Sequence, residues 1–338
     1  MPTVSSILAP IQRTQRAIVP LINHRSPFFI IPRQLSTMAS QINNRRLRIG
    51  MVQYDPKITQ VEANMKRVRA FLKDVEPGSL DLLCLSEMAL TGYVFPTPND
   101  VLPYLEDPKT GVTSQFCAEI ARELGCFVIG GYPEKLREDE EHPGNAVGAN
   151  SAVIYNPNGE RVGDYRKTNM YEADLPWVKP GTGFAHFPNL SPALQDLTLG
   201  ICMDVNPMPD VMSLPAPCEL ASFALSKRSR VLVLLCAWLA NEEDLQLRWC
   251  LSNIEFWIQR TLPLWSKDSP DLVSMSEYPA PDDHDETILV VCNRTGTERG
   301  TKFAGSSIVV RCSRSQGKYD IIGLLETEFE GFRSWTIE

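Results

Sequence analysis

A cysteine and two glutamates each stand where an apolar run of this chain ends, and a lysine follows a fourth strand. Cys202 closes Thr198-Leu199-Gly200-Ile201, and Asn206-Pro207 turns the chain soon after. Glu87 follows Asp81-Leu82-Leu83-Cys84-Leu85, and Glu134 follows the run from Cys126 to Gly131. Lys167 lies just past Arg161-Val162-Gly163-Asp164-Tyr165. In open α/β folds, strand ends are where reacting groups collect. Taken singly, each residue has an ordinary reading: a small buried hydrophobe for the cysteine, loop acids and a surface cation for the others. Taken together they supply what thiol chemistry on an amide requires. A free cysteine with a pKa of about 8.5 is only a few per cent thiolate at neutral pH, so it needs a base. A carboxylate can take the thiol proton and hand it to a leaving amine. An ammonium can stabilise both the thiolate and a developing oxyanion.

The elements that must position these groups can be read from pattern. Leu47–Gln53 reads as a first strand, and Thr59-Gln60-Val61-Glu62 matches a capping box with Thr59 as N-cap. The helix behind it carries Val61, Met65, Val68 and Leu72 on one stripe. Further helices are predicted near 114–124, 217–227 and 242–259, the last with Leu247, Leu251, Ile254 and Ile258 on one face. A hairpin is predicted at 151–155 and 161–165 around Asn156-Pro157-Asn158-Gly159. Strands are predicted at 198–201, 231–235, 287–292, 302–310 and 319–325, and residues 263–285 read as a polar, proline-rich surface loop. Strands alternating with helices, plus antiparallel hairpins, point to one layered α/β domain over 47–338 with a mixed sheet.

Composition bounds the function. Hydrophobic residues at 43% and charged residues at 22% describe an ordinary globular chain. A formal net charge of -8 argues against a nucleic-acid or anionic-membrane surface. His24, His142, His186 and His284 are scattered, so no metal site is expected. Nine cysteines, with no C-x-x-C pair, read as reduced thiols. Residues 1–46 differ from the rest: the first 48 residues hold seven arginines, no lysine and no acid. That is the composition of an organelle transit peptide. It predicts a mitochondrial location, and a start at Met38 would give a cytoplasmic form as well.

Three runs make a more specific match. Leu85-Ser86-Glu87-Met88-Ala89-Leu90-Thr91-Gly92-Tyr93, Tyr165-Arg166-Lys167-Thr168 and Gly200-Ile201-Cys202-Met203-Asp204 resemble, in order and spacing, the Glu, Lys and Cys motifs of the nitrilase (carbon–nitrogen hydrolase) superfamily. Gly131-Tyr132-Pro133-Glu134 looks like that family's second glutamate. The resemblance covers residues 47 to about 325 and implies an α-β-β-α sandwich. It is sharper to one branch, the fungal N-terminal amidases, through those runs together with Ala237-Trp238-Leu239 and Asn293-Arg294-Thr295-Gly296-Thr297-Glu298. It departs at 263–285, where members of that branch can carry a much longer insert.

The resemblance implies deamidation of N-terminal Asn and Gln in proteins or peptides, within the N-degron pathway, with no cofactor. Cys202 would attack the side-chain amide, with Glu87 as base and then acid. Lys167 and the Met203 backbone N–H would hold the oxyanion, and Glu134 would orient Lys167 or relay protons. An enzyme that reads a chain terminus must also pair an α-ammonium with a carboxylate. Asp204, Glu172 and Asp174 lie close enough in sequence to serve, with Asp204 ranked first, and Trp238 could wall the pocket. Each also has an ordinary reading as a loop acid or a core aromatic. The alternatives are a small-amide hydrolase of the same superfamily, ω-amidase or carbamoylase-like, and a catalytically inactive scaffold.

Overall fold

The residues of the first strand divide between two neighbourhoods according to parity, as a pleated strand requires. In β1 (Leu47–Gln53), Leu47, Ile49 and Met51 join one apolar cluster, while Val52 joins another. β2 (Leu82–Leu85) divides likewise, with Leu82 and Cys84 in the first cluster and Leu83 and Leu85 in the second. The second cluster is completed by α1 (Val61–Leu72) and α2 (Val112–Leu124), through Val68, Phe116 and Ile120. This computed structural model describes residues 46–207, 217–267, 277–281 and 283–338. The expectations for residues 1–45 of the leader, with Met38, and for much of the insert 263–285 lie outside the described residues.

The described chain continues through β3 (Phe127–Lys135), β4 (Gly148–Tyr155), β5 (Arg161–Arg166), β6 (Ala185–Phe187), β7 (Leu197–Ile201), α3 (Glu219–Ser226), β8 (Val231–Cys236) and α4 (Leu251–Gln259). It closes with β9 (Glu286–Asn293), β10 (Thr297–Glu298), β11 (Thr301–Lys302), β12 (Ile308–Ser313), β13 (Lys318–Leu324) and β14 (Gly331–Ile337). Two six-stranded sheets result, ordered β14-β1-β2-β3-β4-β5 and β13-β12-β9-β8-β7-β6. Each has a parallel trio at its centre, β1-β2-β3 in one and β7-β8-β9 in the other. Antiparallel strands flank both trios.

The inner faces of both sheets share the first apolar cluster, where Ile49, Cys84 and Ile129 meet Leu199, Val233 and Val290. Cys292 of β9 reaches across to the carbonyl of Cys84, with its sulfur 3.5 Å from that oxygen. Leu220 of α3 and Ile254 of α4 belong to the same cluster. The layering is therefore α-β-β-α, with two mixed sheets rather than one. Both faces of the parallel strands are covered, which is why these strands read as continuous apolar runs rather than alternating ones.

Four local expectations are corrected. Thr59 does not cap α1: it sits at φ 65°, and the helix begins after Gln60 with no side-chain cap. Asn64 holds the entrance instead, accepting from Lys57 N at 2.8 Å and donating to the carbonyls of Lys57 and Leu90 at 2.8 Å each. The helix expected over 242–259 is a short turn at Glu242–Asp244 followed by α4. The Asp244 carboxylate accepts from Ser252 N at 3.0 Å, where the helix N-terminus favours negative charge, and Leu247 is left exposed. The strand expected over 302–310 is broken at Gly305, φ 55°, where an added Cβ would lie 2.0 Å from the Thr327 carbonyl oxygen. The C-terminal β14, not predicted, pairs antiparallel with β1 from Leu47↔Ile337 to Gln53↔Gly331.

Candidate active site

The two central trios bring their C-terminal ends together. Glu87 lies two residues beyond β2, at a point where Gly131 of β3 lets the backbones approach: a Cβ there would stand 2.8 Å from Glu87 Cα. Cys202 is the first residue after β7, at φ 46°, and opens a tight turn over Cys202–Val205. A non-glycine residue in that region is strained, and such strain persists where surrounding structure dictates it. Ala237 follows β8, and its N–H donates to Glu87 Oε2 at 2.7 Å, joining the end of one sheet to the end of the other. Lys167 follows β5, tied to β4 by its own N–H to the Asn150 carbonyl at 2.8 Å.

The side chains form a dry, charged cluster. Lys167 Nζ donates to Glu87 Oε1 at 2.8 Å and to Asp174 Oδ2 at 2.6 Å, and none of the three side chains is exposed. Tyr171 N donates to Asp174 Oδ2 at 2.9 Å, and the Tyr93 hydroxyl lies 3.4 Å from Asp174 Oδ1. The Asn150 amide nitrogen is shared between Glu87 Oε1 at 2.7 Å and Asp174 Oδ1 at 3.1 Å. Lys167 Nζ stands 5.6 Å from the Tyr93 ring centroid.

Electrostatics assigns the resting states. Burial alone would lower the Lys167 ammonium, but Asp174 and Glu87 override it and hold it well above the ordinary lysine value. Burial raises the Glu87 carboxyl, and the charge of Asp174 adds to that; Lys167 and Asn150 oppose it. Burial also pushes the Cys202 thiol up, against hydrogen bonds from Cys236 and the Ala237 N–H and the attraction of Lys167. The cysteine therefore rests as a thiol, and its reactivity depends on a neighbouring base. Glu87 is the carboxylate whose charge it feels most.

Glu87, Lys167 and Cys202 converge as expected, but Glu134 does not join them. β3 runs on through Lys135, so Glu134 lies within the strand rather than beyond its end. Ser151 is in register with Arg166, which puts Arg166 and Lys167 on opposite faces. Glu134 is on the Arg166 side, accepting from Arg166 Nη2 at 2.7 Å, from its Nε at 3.0 Å and from Ser151 Oγ at 2.6 Å. It borders a cleft of about 880 Å³ with Arg166, Glu140 and Lys179, away from the thiol. The second carboxylate on Lys167, beside Glu87, is Asp174, which the sequence offered only as a partner for substrate.

The other expected substrate contacts divide. Asp204 is buried and already committed: it accepts from Ile201 N at 2.7 Å, Tyr165 OH at 2.7 Å, Asn169 N at 2.8 Å and Thr168 N at 3.0 Å. Burial raises it to about 6 against those bonds. It braces the Cys202 turn to the loop after Lys167 and has no capacity left for an α-ammonium. Asp174 is likewise consumed, and Glu172 is exposed. Trp238 is half-buried beside the site, its ring centroid 5.6 Å from Phe256 and 5.9 Å from Trp257. Met203 is buried in the turn after the thiol. Asn150 was missed altogether. Its only signal was its place just before the strand predicted at 151–155.

Comparison with known proteins agrees with this fold. Residues 48–206 match the family model for carbon-nitrogen hydrolases. The chain is similar to a protein N-terminal amidase of Schizosaccharomyces pombe, 28% identical over 303 residues that span 84% of this chain and 97% of that one. Among solved structures, an N-terminal amidase with an Asn-Glu-Ala peptide superposes with a TM-score of 0.69 at 21% identity. The match covers 87% of this chain and 99% of the other. An N-terminal amidase with a Gln-Val peptide gives 0.69 at 22% identity, with the same coverage. At that identity the superposition establishes the shared fold.

Proposed function

We propose, from the match of residues 48–206 to the carbon-nitrogen hydrolase family, that this chain deamidates N-terminal asparagine and glutamine of proteins and peptides through a thioester on Cys202. The observation that carries the reading is the convergence of a buried thiol with a buried carboxylate–ammonium–carboxylate cluster at the ends of two facing sheets. Glu87 takes the Cys202 proton as the sulfur attacks the side-chain carboxamide carbon. The oxyanion forms against the Lys167 ammonium and the Met203 N–H. Glu87 returns the proton to the leaving nitrogen, ammonia departs, and the thioester remains. Water, deprotonated by Glu87, attacks that carbonyl; the thiolate leaves and regains the proton. The products are N-terminal aspartate or glutamate.

The similar N-terminal amidases, one with an Asn-Glu-Ala peptide and one with a Gln-Val peptide, support the choice of substrate. A panel of short peptides tests it by ammonia release. Peptides beginning with free Asn or Gln are expected to turn over. Their N-acetylated forms and peptides with internal Asn or Gln should fall by about a hundredfold or more, because both lose the charge of the free terminus and acetylation adds bulk. Equal rates for acetylated and free termini would replace this reading with that of a small-amide hydrolase.

A further inference from the structure

Asn150 sits in β4 with no exposed surface, and its amide nitrogen places one hydrogen bond on each of two carboxylates. The amide orientation is dictated by chemistry, since the flipped form would set its carbonyl oxygen against both Glu87 and Asp174. Its oxygen Oδ1 finds no protein partner among the described residues. Its backbone carbonyl accepts from Lys167 N at 2.8 Å. One residue therefore fixes the two acids and the backbone of the cation between them. Two carboxylates around one ammonium carry an excess negative charge in a dry site, and one of them tends to take up a proton. A neutral double donor opposes that without adding a charge of its own.

We infer that Asn150 is a positioning residue that keeps Glu87 ionised beside Asp174 and Lys167, and so sets the lower pH limit of turnover. The inference rests on the reading of Glu87 as the base. The groups facing Glu87 are Lys167 and Asp174 from the loop after β5, Tyr93 from the segment after β2, Cys202 after β7 and Cys236 at the end of β8. Among these, Lys167 is the one cation. A base works when deprotonated, so activity rises with pH through its pKa. Removing a donor from the carboxylate raises that pKa, and the acid limb moves to higher pH.

Two pH profiles test this on the full chain: kcat/KM for ammonia release from a Gln-initiated peptide, and alkylation of Cys202 by iodoacetamide followed by peptide mapping. Alkylation needs no substrate, so it judges Asn150 even if the peptide reading fails. Asn150→Ala is expected to shift the acid limb of both profiles upward by about one pH unit, the scale of one hydrogen bond to a charged group. Asn150→Ser keeps one donor and should shift it less; if the alanine variant does not fold, the serine variant decides. An acid limb that stays in place, whether rates are unchanged or fall equally at every pH, overturns the proposal. Wild-type protein that alkylates at Cys202 with a normal limb yet leaves Gln peptides intact would overturn the substrate reading alone.

Discussion

Cys202→Ala is expected to abolish ammonia release, by at least about a thousandfold, while the protein unfolds near its usual temperature. Removal of a nucleophile from a covalent mechanism costs about this much or more, because what remains is binding and oxyanion stabilisation only. The stability half of the expectation follows from the surroundings. The thiol is raised by burial and rests neutral, so its removal uncovers no charge. The left-handed backbone at φ 46° is as accessible to alanine as to cysteine. Ammonia release under saturating peptide, together with a thermal melt, checks both halves. Residual activity within tenfold of wild type would eliminate the thiol mechanism.

Lys167→Met is expected to remove activity and to destabilise the fold as well. The side chain has no exposure and is clasped by two carboxylates that have none either. Breaking a buried ion pair by deleting one partner typically costs about 3–5 kcal/mol, since the other charge is left uncompensated. Here two are left, and at least one must take up a proton to remain buried. Glu87, already raised by burial, would lose the strongest influence that keeps it ionised, so the loss of activity should be larger at low pH than at high pH. Chemical denaturation and the pH profile of the residual rate check this. A variant as stable as wild type would mean the cluster is not the closed, dry site described above.

How far the site could be read from sequence depended on whether contacts were local. Glu87 and Cys202 lie two and one residues past strands that are buried on both faces, and such strands stand out as apolar runs of four or five residues; Lys167 follows the partly exposed hairpin strand β5, which its turn at Asn156–Gly159 announces. Glu134 was misplaced because β3 continues four residues beyond Gly131, and one step of parity moves a side chain to the other face of the sheet. Asp174 reaches Lys167 because the loop after β5 folds back, with Asp174 accepting from Tyr171 N; no periodicity announces such a turn. Asp204 lay closest to the thiol in sequence, yet its oxygens are taken by backbone N–H groups that had no partner within their own segments. A layered α/β domain was legible from strand and helix order, but its division into two facing sheets was implied only by the family resemblance. The pairing of β14 with β1 was not legible, because it joins residues nearly 290 positions apart in the chain.

The central claim, deamidation through a thioester on Cys202, is tested most directly by offering hydroxylamine as a rival to water. A thioester partitions between the two, so a Gln-initiated peptide should yield its side-chain hydroxamate in proportion to hydroxylamine, with ammonia still released and with no hydroxamate from Cys202→Ala. Ammonia release that yields only the free acid at high hydroxylamine, or equal hydroxamate from the alanine variant, would contradict it.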